Sequence, residues 1–143
     1  MDKRSLSRIM NFADTPLLRE LAEQAAEGRE ALVLKPAEKT LALLQVREPL
    51  RGERFFLGEA LAVHCIVEVD GVRGAAVQLG DDLSRVEAAA ILDAAHSGGF
   101  AGFALALPRL LALETERVAA QKAEAELVRK TAVQFQALED REA

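Results

Sequence analysis

Few side chains in this 143-residue sequence suit acid-base, nucleophilic or metal chemistry near neutral pH: it holds two histidines and one cysteine. Imidazole is the group whose ordinary pKa lies closest to neutrality. His64 falls on the polar side of an alternating run, and His96 ends a helical pattern, where an imidazolium complements the helix dipole. Both have ordinary structural explanations, and neither sits in a metal-ligand spacing such as HxH. Cys65 follows His64 directly, but neighbours on a strand project to opposite faces, so they make a poor thiolate–imidazole pair. Cys65 shares the valine side and reads as a small buried hydrophobe. The segment from Gly52 to Glu59 (GERFFLGE) crowds Glu53, Arg54 and Glu59 among two glycines. It is either the bulged start of a strand with a structural Glu–Arg pair, or a place where Arg54 meets an anion. Ser97-Gly98-Gly99 follows a helix instead of opening one after a strand, so it reads as a helix stop and not a phosphate loop. No nucleophile–base–orienter set and no paired carboxylates can be assembled from the spacing.

The rest of the composition excludes whole classes. A lone cysteine allows neither an internal disulfide nor a cysteine-held cluster, and fits a reducing, cytoplasmic setting. The net charge of -5 and pI near 5.1, without a basic tract or stacking aromatics, argue against nucleic acid. No apolar run is long enough to span a bilayer, and residues 1–10 lead into no apolar signal region, so neither membrane nor export is expected. At this length one domain can bury a core without staples, and alanine and leucine, 27 and 22 residues, carry the bias of helix-rich proteins.

Those side chains must be positioned by the following elements. Leu6, Ile9 and Met10 suit a short helix from Asp2 to about Phe12, and Asp14-Thr15-Pro16 starts a second, closed by Gly28. Four short strand runs follow, 31–35, 41–47, 55–69 and 72–79, separated by PAEKT, EPLRGE and Asp70-Gly71. Asp70-Gly71 is a two-residue type I′ hairpin signal. A third helix spans about Leu83 to Ala95, with Asp81 or Asp82 as its cap and Leu83, Val86, Ala90, Ile91 and Ala94 on one face. After the glycine-broken FAGFALAL, Pro108 opens a long helix reaching at least Arg129, with a thin apolar stripe and i,i+4 charge pairs. That helix is either solvated or an arm across a partner. The fold class is α+β: an antiparallel sheet of about four strands flanked by N-terminal and C-terminal helices. The whole of 1–143 reads as a single domain with a helical arm from about 108.

Taken together, GERFFLGE, the hairpin after VHCIVEV, and GDDLSRVEAAAILDA resemble the PhnG family, the G subunit of the carbon–phosphorus lyase core complex of bacterial phosphonate metabolism. The matching positions are Gly52, Glu53, Phe55, Gly58, Glu59, Cys65, Gly71, Gly80, Asp82, Glu87, Ala90 and Asp93, and the stretch from Lys130 to Phe135 echoes the family's ending. The resemblance implies a cytoplasmic assembly with the H, I and J subunits. That assembly forms alpha-D-ribose 1-methylphosphonate 5-triphosphate from ATP and methylphosphonate and releases adenine. Nucleosidase-like chemistry is attributed to the I subunit and radical cleavage with an iron–sulfur cluster to the J subunit. The G subunit would then be structural, with no cofactor of its own and ATP a substrate of the complex, and its alanine-rich surfaces would serve partner contacts. Three positions depart from the pattern: Asp81 stands where the family has arginine, Arg85 where it often has histidine, and Val86 where it has alanine. If the family residues touch a phosphate, that contact is lost or moved here, as in a degenerate paralogue. The competing reading is a stand-alone anion-binding or hydrolytic α+β domain, which requires Arg54, His64, Glu53 and Glu59 to converge on one pocket.

Overall fold

The computed structural model describes residues 1–47 and 52–142, with the order α1 (Lys3–Phe12), α2 (Thr15–Ala26), β1 (Ala31–Arg47), β2 (Arg54–Val69), β3 (Val72–Leu79), α3 (Leu83–Ser97) and α4 (Ala101–Glu142). The separator EPLR lies outside the described residues. Asp2 caps α1 by accepting from Ser5 N–H at 2.8 Å, and Asp14 caps α2 by accepting from Leu17 N–H at 2.9 Å. Each helix then buries its stripe: Leu6, Ile9 and Met10 in α1, and Leu18, Leu21, Ala22, Ala25 and Ala26 in α2. Glu27 and Gly28 both take left-handed backbone after α2, where glycine alone was expected to end it.

The strands form one antiparallel meander in the order β1-β2-β3. Three strands are present among the described residues, because the two runs expected at 31–35 and 41–47 are one strand. Pro36 is the residue that suggested a break, having no N–H to give a ladder. It is tolerated because β1 is an edge strand, and the register shifts between Val33, Lys35 and Glu38 absorb it. Asp70 and Gly71 have φ of 51° and 80°, as the type I′ turn requires.

Val63, Cys65, Val67 and Val69 of β2 face the helices, together with Gly74, Ala76 and Gln78 of β3. Against them lies α3, which buries Val86, Ala88, Ala89, Ala90, Leu92, Ala94 and Ala95, a wider set than one stripe. It is sandwiched between the sheet and α2, so its alanines are used in this chain's own core. Alanine lets α3 approach closely: a Cβ at Gly74 would collide with the carbonyl of Ala90 and lie 2.7 Å from the Ala94 methyl.

The last helix starts at Ala101, not at Pro108. Gly102 explains why the apolar segment is helical: a Cβ there would sit 2.5 Å from the Gln24 carbonyl and 2.6 Å from that of Ala25, so glycine lets α4 cross the end of α2. Phe103, Ala106, Leu110 and Leu113 form the stripe that holds α4 to the core. An interior proline costs about 3 kcal/mol, but Pro108 lies on the exposed side, where water can satisfy the carbonyl it leaves unbonded. Beyond Val118 the helix leaves the body. Arg117 clasps Glu114 with two bonds of 2.8 and 2.9 Å, and the side chains from Ala119 to Ala132 are exposed.

Candidate functional site

The residues that matched across the sequence resolve into two groups, one within the packed body and one on a projecting ribbon. Asp82, and not Asp81, caps α3: its Oδ1 accepts from Arg85 N–H at 3.1 Å and its Oδ2 from the Thr15 hydroxyl at 2.6 Å. These bonds hold the Asp82 carboxyl below its ordinary range, the Thr15 hydroxyl being the larger cause. One carboxylate thereby joins the starts of α2 and α3. Asp93, on α3, takes the outward N–H of Ala75 at 3.0 Å, with Lys3 Nζ 3.8 Å away. This occupies a bare donor on the edge strand β3. Gly80, at φ 110°, ends β3 while its N–H still donates to the Leu61 carbonyl at 2.9 Å. Ala90 is buried where Gly74 crosses α3.

Cys65 is buried opposite Ala76, and burial pushes its thiol pKa up, with the charge of Glu87 adding to the effect. A thiol so placed is a poor nucleophile. Glu87 is exposed in a shallow groove of about 200 Å³ between α2 and α3, with Arg19, Glu23 and Ser84. A second groove, about 380 Å³, lies between α1 and β3 and includes Lys3, Ser7, Asn11 and Asp93.

Arg85 serves the fold. Its guanidinium donates to the carbonyls of Met10 at 3.0 Å and Asn11 at 2.5 Å, tying the end of α1 to α3, and Gln78 Nε2 donates to the same Met10 carbonyl at 3.0 Å. A cation there satisfies carbonyls that the helix leaves unbonded. Asp81 is exposed beside the cap.

The ribbon holds the second group. β3 pairs with β2 only from Ala62 to Val69, whereas β1 continues alongside β2 to the Arg47–Arg54 pair. Gly52, Glu53, Gly58 and Glu59 are all exposed on this extension, and Phe55 pairs in register with Val46, its side chain lying outside the described residues, as does that of Phe135. Gly58, at φ 148°, sits at a bulge: Leu44 pairs with Gly58 and Gln45 with Phe56, leaving Leu57 extra. The expected bulge is present, placed within the strand, and no Glu53–Arg54 ion pair is found among the described residues.

His64 lies on the open face of the sheet, its Nε2 3.1 Å from Glu38 Oε1, which Lys35 Nζ also approaches at 3.4 Å. His96 Nε2 is 2.7 Å from the Met1 carbonyl, and its ring meets Phe103 edge-on. From Arg54 to His64 is about 30 Å of strand at roughly 3.3 Å per residue, so Arg54, Glu53, Glu59 and His64 do not converge. Among the described residues, no group of three His, Cys, Asp or Glu side chains is placed to hold a metal ion, and no single helix is long and apolar enough to cross a membrane.

Periodicity and capping signals in the sequence do not give the close-packing roles of Gly74 and Gly102, and they place Thr15 only at the start of α2, not against Asp82. A glycine inside a strand signals close backbone approach, so Gly74 was accessible to that rule. The tie from Thr15 to Asp82 spans 67 positions and leaves no local signal. In comparisons with known proteins, the family model described as phosphonate metabolism protein PhnG matches residues 1–139. No curated protein matches the chain.

Proposed function

The chain belongs to the family of the phosphonate metabolism protein PhnG, and on that premise we propose that it is a noncatalytic subunit of a carbon–phosphorus lyase core complex. Its role is phosphonate metabolism. Its partners are the H, I and J subunits, and the assembly transfers the ribose triphosphate unit of ATP to methylphosphonate with release of adenine, in the cytoplasm. The chain itself needs no cofactor, ATP being a substrate of the complex.

The observation that carries this reading is the fate of the shared positions. In the body all of them but Glu87, which is exposed in the groove between α2 and α3, act as cap, clamp, turn and close-packing residues, and the remainder lie on an apolar ribbon that the body does not cover. Leu41, Leu43, Phe56 and Leu57 are 62%, 61%, 63% and 65% exposed on that ribbon. Contiguous apolar surface of this kind marks a protein interface. The exposed run of α4, with Leu127 and Val128 bare, adds a second such surface.

Co-expression with the H, I and J subunits followed by size-exclusion chromatography tests the proposal. A stable co-eluting complex supports it. Consistent elution of this chain apart from all three overturns it.

A further inference from the structure

Beyond Leu61 the edge of β2 is open on the side where β3 lies. The Gly80 N–H bonds to the Leu61 carbonyl, and antiparallel alternation turns the backbone groups of Leu61 and Glu59 to that same side. Among the described residues no strand covers the edge from Arg54 to Ala60, about 20 Å at roughly 3.3 Å per residue. A two-stranded ribbon is at best marginally stable in water, and three or more strands are the usual requirement.

Charge placement on this edge says what fits it. β1 carries no extra residue between positions 41 and 47, so positions 41, 43, 45 and 47 share a face, and their partners Leu61, Glu59, Phe56 and Arg54 share it too. In a regular strand Arg54 and Glu59, five apart, would point to opposite faces. The extra residue Leu57 puts them on one face, equally far from the midpoint between Phe56 and Leu57. A cation and an anion placed symmetrically on one face make the edge complementary to itself.

We infer that two copies of this chain pair through these edges, antiparallel, with Arg54 of each opposite Glu59 of the other. The two ribbons then form one four-stranded sheet in the order β1-β2-β2-β1 across a two-fold axis. An axis normal to the sheet keeps each residue on its own face, so the opposite charges meet on the same side, as an isologous contact requires. A slip of two residues in either direction sets Glu59 opposite Phe56 or Gly52, so the charges select the register. The apolar faces of the ribbon stay open, and the inference does not depend on the proposed complex.

The test is a charge swap on the purified full chain, followed by sedimentation velocity over a concentration series. The wild-type chain is expected to show a concentration-dependent dimer. Arg54→Glu and Glu59→Arg should each weaken it about tenfold or more, each replacing two attractive cross-strand pairs by repulsive ones. The double variant should recover the dimer, and an equimolar mixture of the single variants should form a mixed dimer. Both side chains are exposed, and the mixing experiment also guards against misfolding, since only folded edges can recover. A wild-type monomer at every concentration, single swaps without effect, or a double swap that stays monomeric overturns the inference. So does a monomeric wild type whose single swaps instead abolish capture by the H, I and J subunits, an outcome that assigns the edge to another chain and leaves the proposed complex standing.

Discussion

The two halves of β2 are continuous in backbone and alike in composition, yet they live in different surroundings. From Ala62 to Val69 the strand is paired on both sides and turns Val63, Cys65, Val67 and Val69 into the core, each at most 1% exposed. From Arg54 to Ala60 it is paired only with β1, and Phe56, Leu57 and the neighbouring Leu61 face solvent. The same residue types therefore have two uses. Apolar area buried within the chain stabilises it, at about 25 cal/mol per Å², while apolar area left bare contributes nothing to the isolated fold and is available to a neighbour. α4 repeats the division, holding the body through Leu110 and Leu113 and leaving it with Leu127 and Val128.

The contrast breaks if substitutions in the two halves cost the same. The largest effect is expected at Gly74→Ala, where the new methyl meets backbone atoms of α3 that cannot step aside. Overpacking against side chains costs about 1–3 kcal/mol, and a backbone collision should reach or exceed the upper end. Thermal unfolding should show a drop of ten degrees or more, of the order expected for a chain this long. Leu92→Ala comes next. Leu92 is fully buried, and truncation should cost about 2–5 kcal/mol in urea denaturation through lost transfer energy and the cavity left behind. A cost below 1 kcal/mol at either position would mean that α3 is not the centre of the core.

How much of this was legible depends on how far each determinant lies along the chain. The Asp14 cap, the Asp70-Gly71 turn and the buried alternation of Val63 to Val69 are local, since each depends on residues within a few positions, and the expectation agrees with the structure at all of them. Pro36 and Pro108 misled for one physical reason: proline breaks an element only where its missing N–H is needed, and both sit where solvent or a free edge meets the loss. Ala88, Ala89 and Ala95 lie off the stripe that spacing marks on α3, because their burial depends on the close approach at Gly74, fourteen or more positions earlier. Apart from Cys65, Gly71 and Asp82, the matched residues were readable as positions but not as roles. Nothing near Asp93 in sequence announces that it takes a hydrogen bond from Ala75.

A mid-sized effect is expected at Asp82, where the packed half begins. Asp82→Ala removes a helix cap and the tie to Thr15, so about 1 kcal/mol or somewhat more should be lost at neutral pH. The pH dependence has a definite sign. The folded pKa lies below the ordinary 3.8, so this stabilisation is complete above the ordinary carboxylate range and is lost as pH falls through the folded value. The stability gap between wild type and Asp82→Ala in urea should therefore hold from pH 7 to 5 and shrink once the pH drops below that range. A gap that stays constant to pH 2.5 would show that Asp82 acts through shape and not charge.

The smallest effect on stability belongs to the exposed half, and it is the one that sharpens the contrast most. Phe56→Ser removes a large aromatic side chain that is mostly in water already, so the folded chain loses little contact and unfolding should move by no more than about 0.5 kcal/mol, as at other open surface positions. The same reasoning applies to Leu43→Ser across the strand, since Leu43 pairs with Glu59 and is equally bare. Serine at these places should raise the solubility of the isolated chain and weaken its co-elution with partner subunits. The cost of burying these groups would then fall on assembly and not on folding. If either variant instead unfolds several degrees early, with urea and heat agreeing, the ribbon must already be packed against the body. The apolar residues of the two halves of β2 would then be doing the same job.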